Sequence, residues 1–246
     1  MFHFFSKKKF LVDYLHNFVD IHNHILPGID DGAKTVRESV DLVRGFKELG
    51  ITNLVATPHI MNSYYPNTKE TVTASMDVLT NELIENELKD IQIEAAAEHM
   101  IDDNFEEILQ RGEVMPIRKN YLLVEMSYLQ PSINFDDAIQ KVMKKGFFPI
   151  LAHPERYGYW HTNKANFSKY KKKGVHYQLN LLSLSDYYGP EVQKMALYLL
   201  DHGLFDYVAS DVHRLEQLEA LKEIKIKANL LESIVPIINN TITKFY

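Results

Sequence analysis

Seven short apolar runs recur along the chain, each rich in β-branched or aromatic residues. They are FVDIH (18–22), ITNLVATPH (51–59), IQIEAAAE (91–98), YLLVEM (121–126), FFPILAH (147–153), VHYQLN (175–180) and FDYVASD (205–211). Short and almost continuously apolar runs are typical of strands that are buried on both faces of a parallel sheet. The pattern therefore predicts seven buried strands.

Between these runs the apolar residues return with helical spacing. One stripe extends from Val36 to Phe46, with Thr35 and Glu38 as a capping box before it and Gly50 as the helix-ending glycine after it. Six further helices are predicted near Thr68–Leu88, Asp102–Gln110, Asn134–Lys145, Asn163–Lys173, Pro190–His202 and Leu215–Leu231.

Strands that alternate with helices indicate an α/β fold with parallel pairing through helical crossovers. An open doubly wound sheet and a closed barrel both agree with this alternation. The sequence contains no linker, internal repeat or low-complexity segment, so residues 1–246 are interpreted as a single domain. Within it, residues 1–16 are interpreted as a loosely ordered N-terminal extension.

Composition excludes several classes of function. The chain of 246 residues is long enough for one large core, and its net charge of −6 argues against a nucleic-acid-binding surface. It contains no cysteine, which excludes disulfides, thiolate metal sites and cysteine nucleophiles.

Targeting signals are also missing from the sequence pattern. No apolar run approaches the roughly 20 residues of a transmembrane helix. The opening MFHFFSKKKF places its lysines after the apolar tip, the reverse of a secretory signal. It is interpreted as a frayed terminus, with weak contact between Lys7–Lys9 and an anionic membrane as the alternative. A cytoplasmic location is expected.

Polar side chains concentrate at the C-terminal ends of the predicted strands. In chain order these are His22, His24, His59, Glu98, Glu125, His153, Asp211 and His213, and the sixth strand carries Gln178 and Asn180. In a barrel, the C-terminal strand ends meet on one face, and side chains two apart on a strand point to the same side. We therefore expect these groups to lie together, where bound cations would remove the free-energy cost of unpaired polar groups.

The donors are imidazole nitrogens and carboxylate oxygens. This set suits zinc, manganese or iron, whereas magnesium or calcium would favour oxygen donors alone. There are too many donors for one ion, so two or three divalent ions are expected, with Glu98 as a bridge and manganese as the first choice. A lone histidine is more often structural than a ligand, and that interpretation is kept for His3, His16, His99, His161, His176 and His202.

Several motifs resemble those of the polymerase-and-histidinol-phosphatase (PHP) superfamily, namely DIHNH, ATPH, AAE, LAHPERY and SDVH. Within it, HNHILPGIDDGA, ATPHIMNSYYPNT and AHPERY are similar to the bacterial metal-dependent tyrosine-protein phosphatases of capsule and exopolysaccharide operons. The resemblance extends from Asp20 to Arg214. It implies a distorted seven-stranded (β/α)7 TIM-like barrel of the PHP type with a three-metal cluster.

The resemblance also implies roles for individual residues. The first ion would be held by His22, His24, Glu98 and Asp211, the second by Glu98, Glu125 and His153, and the third by His59, His213 and a carboxylate of the Asp30–Asp31 pair, for which Asp31 is chosen. Arg156 in HPERY matches an arginine near the substrate phosphate, with a structural pairing to a carboxylate such as Glu155 as the alternative. The family pattern places a second arginine a few residues after the final DxH, where this chain has Leu218, so Arg214 is the candidate for that task.

The implied activity is phosphomonoester hydrolysis through a metal-bridging hydroxide. The implied substrate is a phosphotyrosine protein, in particular the tail of a membrane-associated bacterial tyrosine kinase that regulates capsular or exopolysaccharide synthesis. Asp31 is a candidate general acid, and Tyr64 and Tyr65 form an aromatic wall for the phosphotyrosine ring or pack on the rim. The alternatives are a small-molecule phosphatase such as histidinol phosphatase, a phosphodiesterase or nuclease, and a non-catalytic metal-stabilised scaffold.

Overall fold

The computed structural model describes residues 9–246. Their strands are β1 Lys9–Phe10, β2 Val19–Asn23, β3 Asn53–Ala56, β4 His59–Ile60, β5 Gln92–Ala95, β6 Glu98–Met100, β7 Tyr121–Glu125, β8 Phe148–Ala152, β9 His176–Asn180, β10 Tyr207–Ala209 and β11 Lys225–Ile226. Their α-helices are α1 Val36–Glu48, α2 Lys69–Glu85, α3 Phe105–Arg111, α4 Phe135–Lys144, α5 Gly158–His161, α6 Ala165–Lys172, α7 Pro190–Asp201, α8 Leu215–Glu223 and α9 Ala228–Phe245.

The sheets are parallel apart from one short ribbon. Strands β2, β3 and β5 form a three-stranded sheet, and β10, β9, β8, β7, β6 and β4 follow one another in a six-stranded sheet. A parallel bridge between Asn23 and Val212 links the end of β2 to the segment after β10. All seven apolar runs thus contain strands, and the α/β fold class is confirmed.

Two of the predicted strands are broken in the middle. The second run splits into β3 and β4 around Pro58, which has no N–H to donate to a sheet. The third run splits into β5 and β6, although Ala96 N still donates to Ala56 O at 2.8 Å and Glu98 N to Pro58 O at 3.1 Å. These breaks move the chain from the smaller sheet to the larger one just before His59 and Glu98.

One cluster of buried apolar side chains lies between the strands themselves. Alternate residues of the strands meet there, including Val19 and Ile21 of β2 and Ile150 and Ala152 of β8. Phe245, at the end of α9, belongs to the same cluster and is fully buried. This apolar cluster packs between the strands that carry the polar side chains at their C-terminal ends.

The first predicted helix has half of its capping box. The Thr35 hydroxyl accepts from Glu38 N at 3.2 Å, but the Glu38 carboxylate accepts from Lys34 N rather than from Thr35 N. Gly50 follows the helix with φ 74°, a left-handed conformation that glycine adopts without strain. Among the described residues, no helix combines the length and the apolarity of a membrane span.

The C-terminal region departs from the prediction. The prediction of a single helix over Leu215–Leu231 is wrong, since α8 ends at Glu223 and α9 begins at Ala228. Between them, β11 pairs antiparallel with β1. The remainder of α9, to Phe245, was not predicted.

The N-terminal segment is packed rather than loose over its described part. Leu11 and Leu15 are fully buried, and Leu11 N donates to Ile224 O at 2.9 Å. The expectation of a loosely ordered extension is therefore wrong for residues 9–15, because these apolar side chains join the core. The rest of that expectation and the membrane contact of Lys7 and Lys8 concern residues 1–8, which lie outside the described residues.

Candidate metal centre

The polar strand ends converge on one face, as the sequence predicts. Their nitrogen and oxygen atoms form four overlapping groups, and within each group the donor atoms lie within 4.8 Å of one another. The groups are His22, His24 and Asp211; His22, Glu98 and His153; His59, Glu98 and Glu125; and His24, Asp31, His59 and His213.

The first strand contributes two imidazoles to one pair of carboxylates. His22 Nε2 lies 3.2 Å from Glu98 Oε2 and 3.3 Å from Asp211 Oδ1. His24 Nε2 lies 3.6 and 3.5 Å from the same two oxygens. Two ligands of a tetrahedral ion, each at about 2.1 Å, stand roughly 3.4 Å apart. His22, His24 and Asp211 therefore have the spacing of ligands around one cation, and Glu98 Oε2 lies at a similar distance from both imidazoles.

Glu98 is central to the cluster because its two oxygens face different histidines. Oε1 lies 3.1 Å from His153 Nε2, and Oε2 lies 3.0 Å from His59 Nδ1. The same His59 nitrogen lies 3.0 Å from Glu125 Oε1. The structure thus places His59 against Glu98 and Glu125, whereas the sequence resemblance places His153 with these two carboxylates.

The two adjacent aspartates have different surroundings. Asp31 Oδ1 lies 3.4 Å from His59 Nε2 and 3.5 Å from His213 Nε2, at the exposed edge of the cluster. Asp30 is buried, and its Oδ2 accepts from His24 Nδ1 at 2.7 Å. Asp31 therefore faces the donors, while Asp30 fixes the orientation of the His24 ring.

Further side chains form hydrogen bonds that orient the donor side chains of the cluster. His22 Nδ1 donates to Gln178 Oε1 at 2.9 Å, so in the neutral ring Nε2 carries no proton and faces the cluster. Asp211 Oδ2 accepts from Asn180 Nδ2 and from an Arg156 guanidinium nitrogen, both at 2.8 Å. Such contacts fix the tautomer and direction of metal-ligating groups.

Two residues of the cluster have strained backbones. His153 has φ 35° and Asp211 has φ 53°, both in the left-handed region that non-glycine residues rarely adopt. Strain of this kind costs about 1–3 kcal/mol and concentrates at functional sites. Here it turns both side chains inward at the ends of β8 and β10.

The cluster brings several carboxyl groups together where water is largely excluded. Asp30, Glu98, Glu125 and Asp211 are each no more than 5% exposed. Burial opposes ionisation of Asp211, but the adjacent His22 and other histidines outweigh it and lower its pKa well below the usual range. Burial likewise opposes protonation of His24, but the Asp30 carboxylate raises the pKa of His24 to about 10. The carboxylates therefore require positive charge beside them, from histidine protons or from divalent ions.

The donor set fits divalent ions rather than protons alone. Asp31 Oδ1, Glu98 Oε2, Glu125 Oε1 and His59 Nδ1 are buried atoms that make no hydrogen bond of normal geometry with the described residues. Buried polar atoms without partners are destabilising. Cations between them would satisfy all four atoms at once.

The cluster forms the floor of a cavity of about 910 Å³. On one side Tyr65 stacks on His59, with ring centroids 5.6 Å apart, while Tyr64 is 76% exposed on the rim. On the other side the Arg156 guanidinium lies between the rings of Tyr128 and Tyr188, 4.5 and 4.1 Å from their centroids. The cavity thus has an aromatic border and one arginine at its base.

The candidate arginines differ in position. Arg156 lines the cavity and pairs with Asp211 rather than with Glu155. Arg214 is exposed, does not line the cavity, and donates its backbone N–H to Gln217 Oε1 at 3.1 Å at the start of α8. Its candidacy as a second phosphate-binding arginine therefore has no geometric support.

His99 is a structural histidine, as the sequence interpretation has it. Its Nδ1 donates to Leu123 O at 3.0 Å, and its Nε2 accepts from Met115 N at 3.2 Å. Burial lowers its pKa to about 4. Sequence reasoning placed Gln178 and Asn180 among the polar strand ends but gave them no role, and it did not assign Tyr128 and Tyr188 to the site.

Comparison with known proteins agrees with this geometry. A family model described as capsular polysaccharide synthesis, CpsB/CapC, matches residues 18–227. The tyrosine-protein phosphatase YwqE of Bacillus subtilis is 29% identical over 199 residues, covering 80% of this chain and 78% of that protein. The putative tyrosine-protein phosphatase CapC of Staphylococcus aureus is 30% identical over 198 residues, covering 79% and 76%.

Solved structures extend the likeness to the fold. One solved structure comes from a study of YwqE from Bacillus subtilis and CpsB from Streptococcus pneumoniae, which are described as unique metal-dependent tyrosine phosphatases. It superposes on this chain with a TM-score of 0.79 at 26% identity. The match covers 91% of this chain and 92% of that chain. The lactonase Lmo2620 of Listeria monocytogenes has a TM-score of 0.54 at 13% identity, covering 94% of this chain and 92% of that one, a likeness of fold alone.

Proposed function

Because the chain belongs to the capsular polysaccharide synthesis family CpsB/CapC, we propose that it is a metal-dependent phosphomonoester hydrolase that dephosphorylates tyrosine residues of a protein. The observation that carries this proposal is the cluster of histidines and carboxylates at the floor of an open cavity. The curated relatives are named tyrosine-protein phosphatases, which supports the same reaction.

The fold that presents this cluster is inferred to be a distorted seven-stranded barrel. The Asn23–Val212 bridge joins the first strand region to the last, and Asp211 N donates to His22 O at 2.8 Å. The apolar cluster between the strands resembles a filled barrel interior.

Two or three divalent ions are proposed, with manganese as the first choice and zinc or iron as alternatives. The first site comprises His22, His24, Glu98 and Asp211, the second comprises Glu98, Glu125 and either His59 or His153, and the third comprises Asp31, His59 and His213. When bound, such ions lower the pKa of a water molecule and neutralise phosphoryl oxygens.

Arg156 is proposed to bind the substrate phosphate. Its guanidinium is held flat by Tyr128 and Tyr188 and is anchored through one nitrogen to Asp211. A guanidinium fixed in this way presents its other N–H groups as a fork that matches phosphate oxygens. Arg156 would then hold the phosphoryl group above the cluster.

The leaving group needs little help from the chain. A tyrosine phenolate leaves readily, since its conjugate acid has a pKa of about 10. Burial raises the pKa of Asp31, but the neighbouring imidazoles of His213 and His59 outweigh it and hold that pKa well below the usual range. Asp31 therefore suits the role of an ionised ligand better than that of a general acid. Since the chain has no cysteine, no thiol phosphoenzyme is involved.

The proposed partner is a membrane-associated bacterial tyrosine kinase with a phosphorylated tail, in the control of capsule or exopolysaccharide synthesis. Family membership supports the link to capsule synthesis. Tyrosine kinases use ATP, so a cytoplasmic location is proposed for the reaction. The exposed rim of the cavity favours a protein substrate over a small molecule such as histidinol phosphate.

Replacing His153 with alanine tests the proposal, because its Nε2 contacts Glu98 within the cluster. We expect phosphotyrosine-peptide hydrolysis to fall at least about a thousandfold with the fold retained, whereas His202→Ala, at an exposed histidine of the surface, leaves the rate unchanged. Steady-state kinetics measures the rate of each variant, and circular dichroism shows whether its fold is retained. Full activity in His153→Ala, or wild-type hydrolysis of histidinol phosphate but not of the peptide, would refute the proposal.

A further inference from the structure

We propose that the outer part of the cavity binds apolar side chains that flank the phosphotyrosine of a peptide substrate. This inference rests on the proposed phosphatase function and adds a preference for the residues on either side of the target. The region concerned, called here the apolar arm, is lined by Met100, Leu129, Pro131 and Ile133.

The apolar arm exposes large side chains that a soluble surface would normally cover. Leu129 is 92% exposed and Ile133 is 103% exposed. Isolated exposed apolar residues are ordinary, but here two lie four positions apart on the loop between β7 and α4 and line the same cavity as the cluster. Exposed apolar surface that continues a binding cavity is typical of a contact site for a partner.

The cavity is larger than one phosphotyrosine side chain requires. Its volume of about 910 Å³ lies at the upper end of the roughly 300–1,000 Å³ range of pockets that enclose whole drug-sized ligands. With the phosphate at Arg156 and the aromatic ring beside Tyr65 or Tyr128, the apolar arm remains for neighbouring residues of the peptide.

The walls of the apolar arm are tied to the protein before any substrate arrives. The Ser132 hydroxyl donates to Ile101 O at 2.7 Å, which fixes the loop that carries Leu129 and Ile133. Next to Ile101, Asp102 Oδ2 accepts from Asn62 N at 2.8 Å. A preformed site loses less conformational entropy on binding, so modest apolar contacts can contribute to affinity.

Charged residues at the edge of the apolar arm further restrict which peptide residues can bind there. Asp102 and Asp103 line the cavity there, whereas Arg156, the one arginine or lysine among the described lining residues, lies at the floor. Acidic residues beside the phosphotyrosine would be repelled by these aspartates and by the net charge of −6. The occupant is therefore a peptide with apolar, uncharged residues next to its phosphotyrosine.

The experiment compares three substrates: a phosphotyrosine peptide with leucine on both sides, the same peptide with aspartate there, and free phosphotyrosine. The variants are Leu129→Ser with Ile133→Ser, and a control with Val78→Ser and Ile84→Ser, which replaces two half-exposed apolar residues of α2 outside this cavity. We expect the wild-type chain to favour the leucine peptide over the aspartate peptide at least about tenfold in kcat/KM. In Leu129→Ser/Ile133→Ser, the ratio of leucine-peptide to free-phosphotyrosine kcat/KM should fall about tenfold, chiefly through KM, and the control should keep the wild-type ratio.

An unchanged ratio in Leu129→Ser/Ile133→Ser, or equal turnover of the two peptides by the wild-type chain, would overturn the inference while leaving the phosphatase proposal in place. So would a wild-type dimer that becomes monomeric in this variant with no change in peptide preference, because the patch would then bind a second copy. A wild-type chain that hydrolyses none of the three substrates would overturn the proposed function and this inference together.

Discussion

At the residue scale, His22 shows how one hydrogen bond decides which atom can bind a cation. Gln178 Oε1 accepts from His22 Nδ1 at 2.9 Å, so the proton stays on that nitrogen and Nε2 faces Glu98 and Asp211. Both side chains are fully buried, and water does not compete for this contact. Gln178 is therefore proposed as a positioning residue for the first of the proposed ion sites.

Replacing Gln178 with leucine should weaken metal binding while the fold survives. Loss of an orienting contact behind a ligand typically lowers metal affinity 10–100-fold, and that range is expected for manganese here. Titration of the metal-free protein with Mn²⁺ measures it. Gln193→Leu is the control, because Gln193 Nε2 donates to Leu184 O at 2.9 Å, away from the cluster. Equal affinities in the two variants would show that Gln178 does not position the site.

Gly32 shows that the turn after the first two histidines also has a steric requirement. A Cβ at this position would lie 2.1 Å from His24 O and 2.5 Å from His24 Cβ. Gly32 N also donates to Asp30 Oδ1 at 2.9 Å, which holds the aspartate pair over the cluster. The backbone of His24 can pass this closely only because residue 32 has no side chain.

Gly32→Ala should therefore displace the segment that carries Asp30 and Asp31. We expect a loss of about 1–3 kcal/mol in the free energy of unfolding and weaker Mn²⁺ binding, since overpacking against backbone forces a shift. Gly158→Ala is the control, because its Cβ would meet nothing within 4 Å. Urea unfolding of both variants provides the comparison, and equal stabilities would contradict the steric explanation.

The sequence indicated which polar side chains would lie together better than it indicated how they pair. His22, His24, Glu98 and Asp211 stand out because strand ends are recognisable from apolar runs and residue type. Their partition among ions depends on side-chain direction at the breaks after β3 and β5, which no local pattern specifies. Tyr188 reaches Arg156 from a different part of the chain, so a linear pattern gives no signal for it.

At the scale of elements, seven apolar runs were enough to predict the parallel strands but not the short antiparallel ribbon of β1 and β11. β1 and β11 are two residues each and pair only with one another, so neither has a periodicity that a sequence can show. The middle of α9 carries Pro236, a residue that normally argues for a helix end. Tertiary packing overrides that local signal.

The end of α9 closes the molecule opposite the cluster. Phe245 is fully buried, with its ring centroid 4.9 Å from Tyr207 and 5.2 Å from Tyr121 in edge-to-face contacts. Arg118 Nε donates to Phe245 O at 3.0 Å and satisfies a carbonyl at the helix end. This residue therefore joins α9 to the apolar cluster between the strands.

Phe245→Ala should lower the free energy of unfolding by about 3–5 kcal/mol, because it removes a large buried ring and leaves a cavity. Tyr246→Ala is a matched control at the next position, where the side chain is 78% exposed and little change is expected. Guanidinium unfolding would measure both. A loss below about 1 kcal/mol for Phe245→Ala would mean that α9 does not support the strand cluster.

At the scale of the whole molecule, we expect the buried carboxylates to couple folding to cation binding. The unfolded chain has no preformed site, so ions that bind the cluster stabilise the folded state. Mn²⁺ at about 100 times its dissociation constant should add about 2.7 kcal/mol and raise the melting temperature by several degrees. Thermal unfolding with Mn²⁺ and with a chelator tests this coupling, and His153→Ala should show a smaller rise. Identical melting temperatures in both conditions would exclude it.

The most direct test counts the ions and relates them to activity. Elemental analysis of protein purified without chelators should find two or three divalent ions per chain. Hydrolysis of a phosphotyrosine peptide should be lost after chelation and return when Mn²⁺ is added. Fewer than two bound ions, or hydrolysis that survives complete chelation, would contradict a cluster built by distant histidines and carboxylates at one end of the strands.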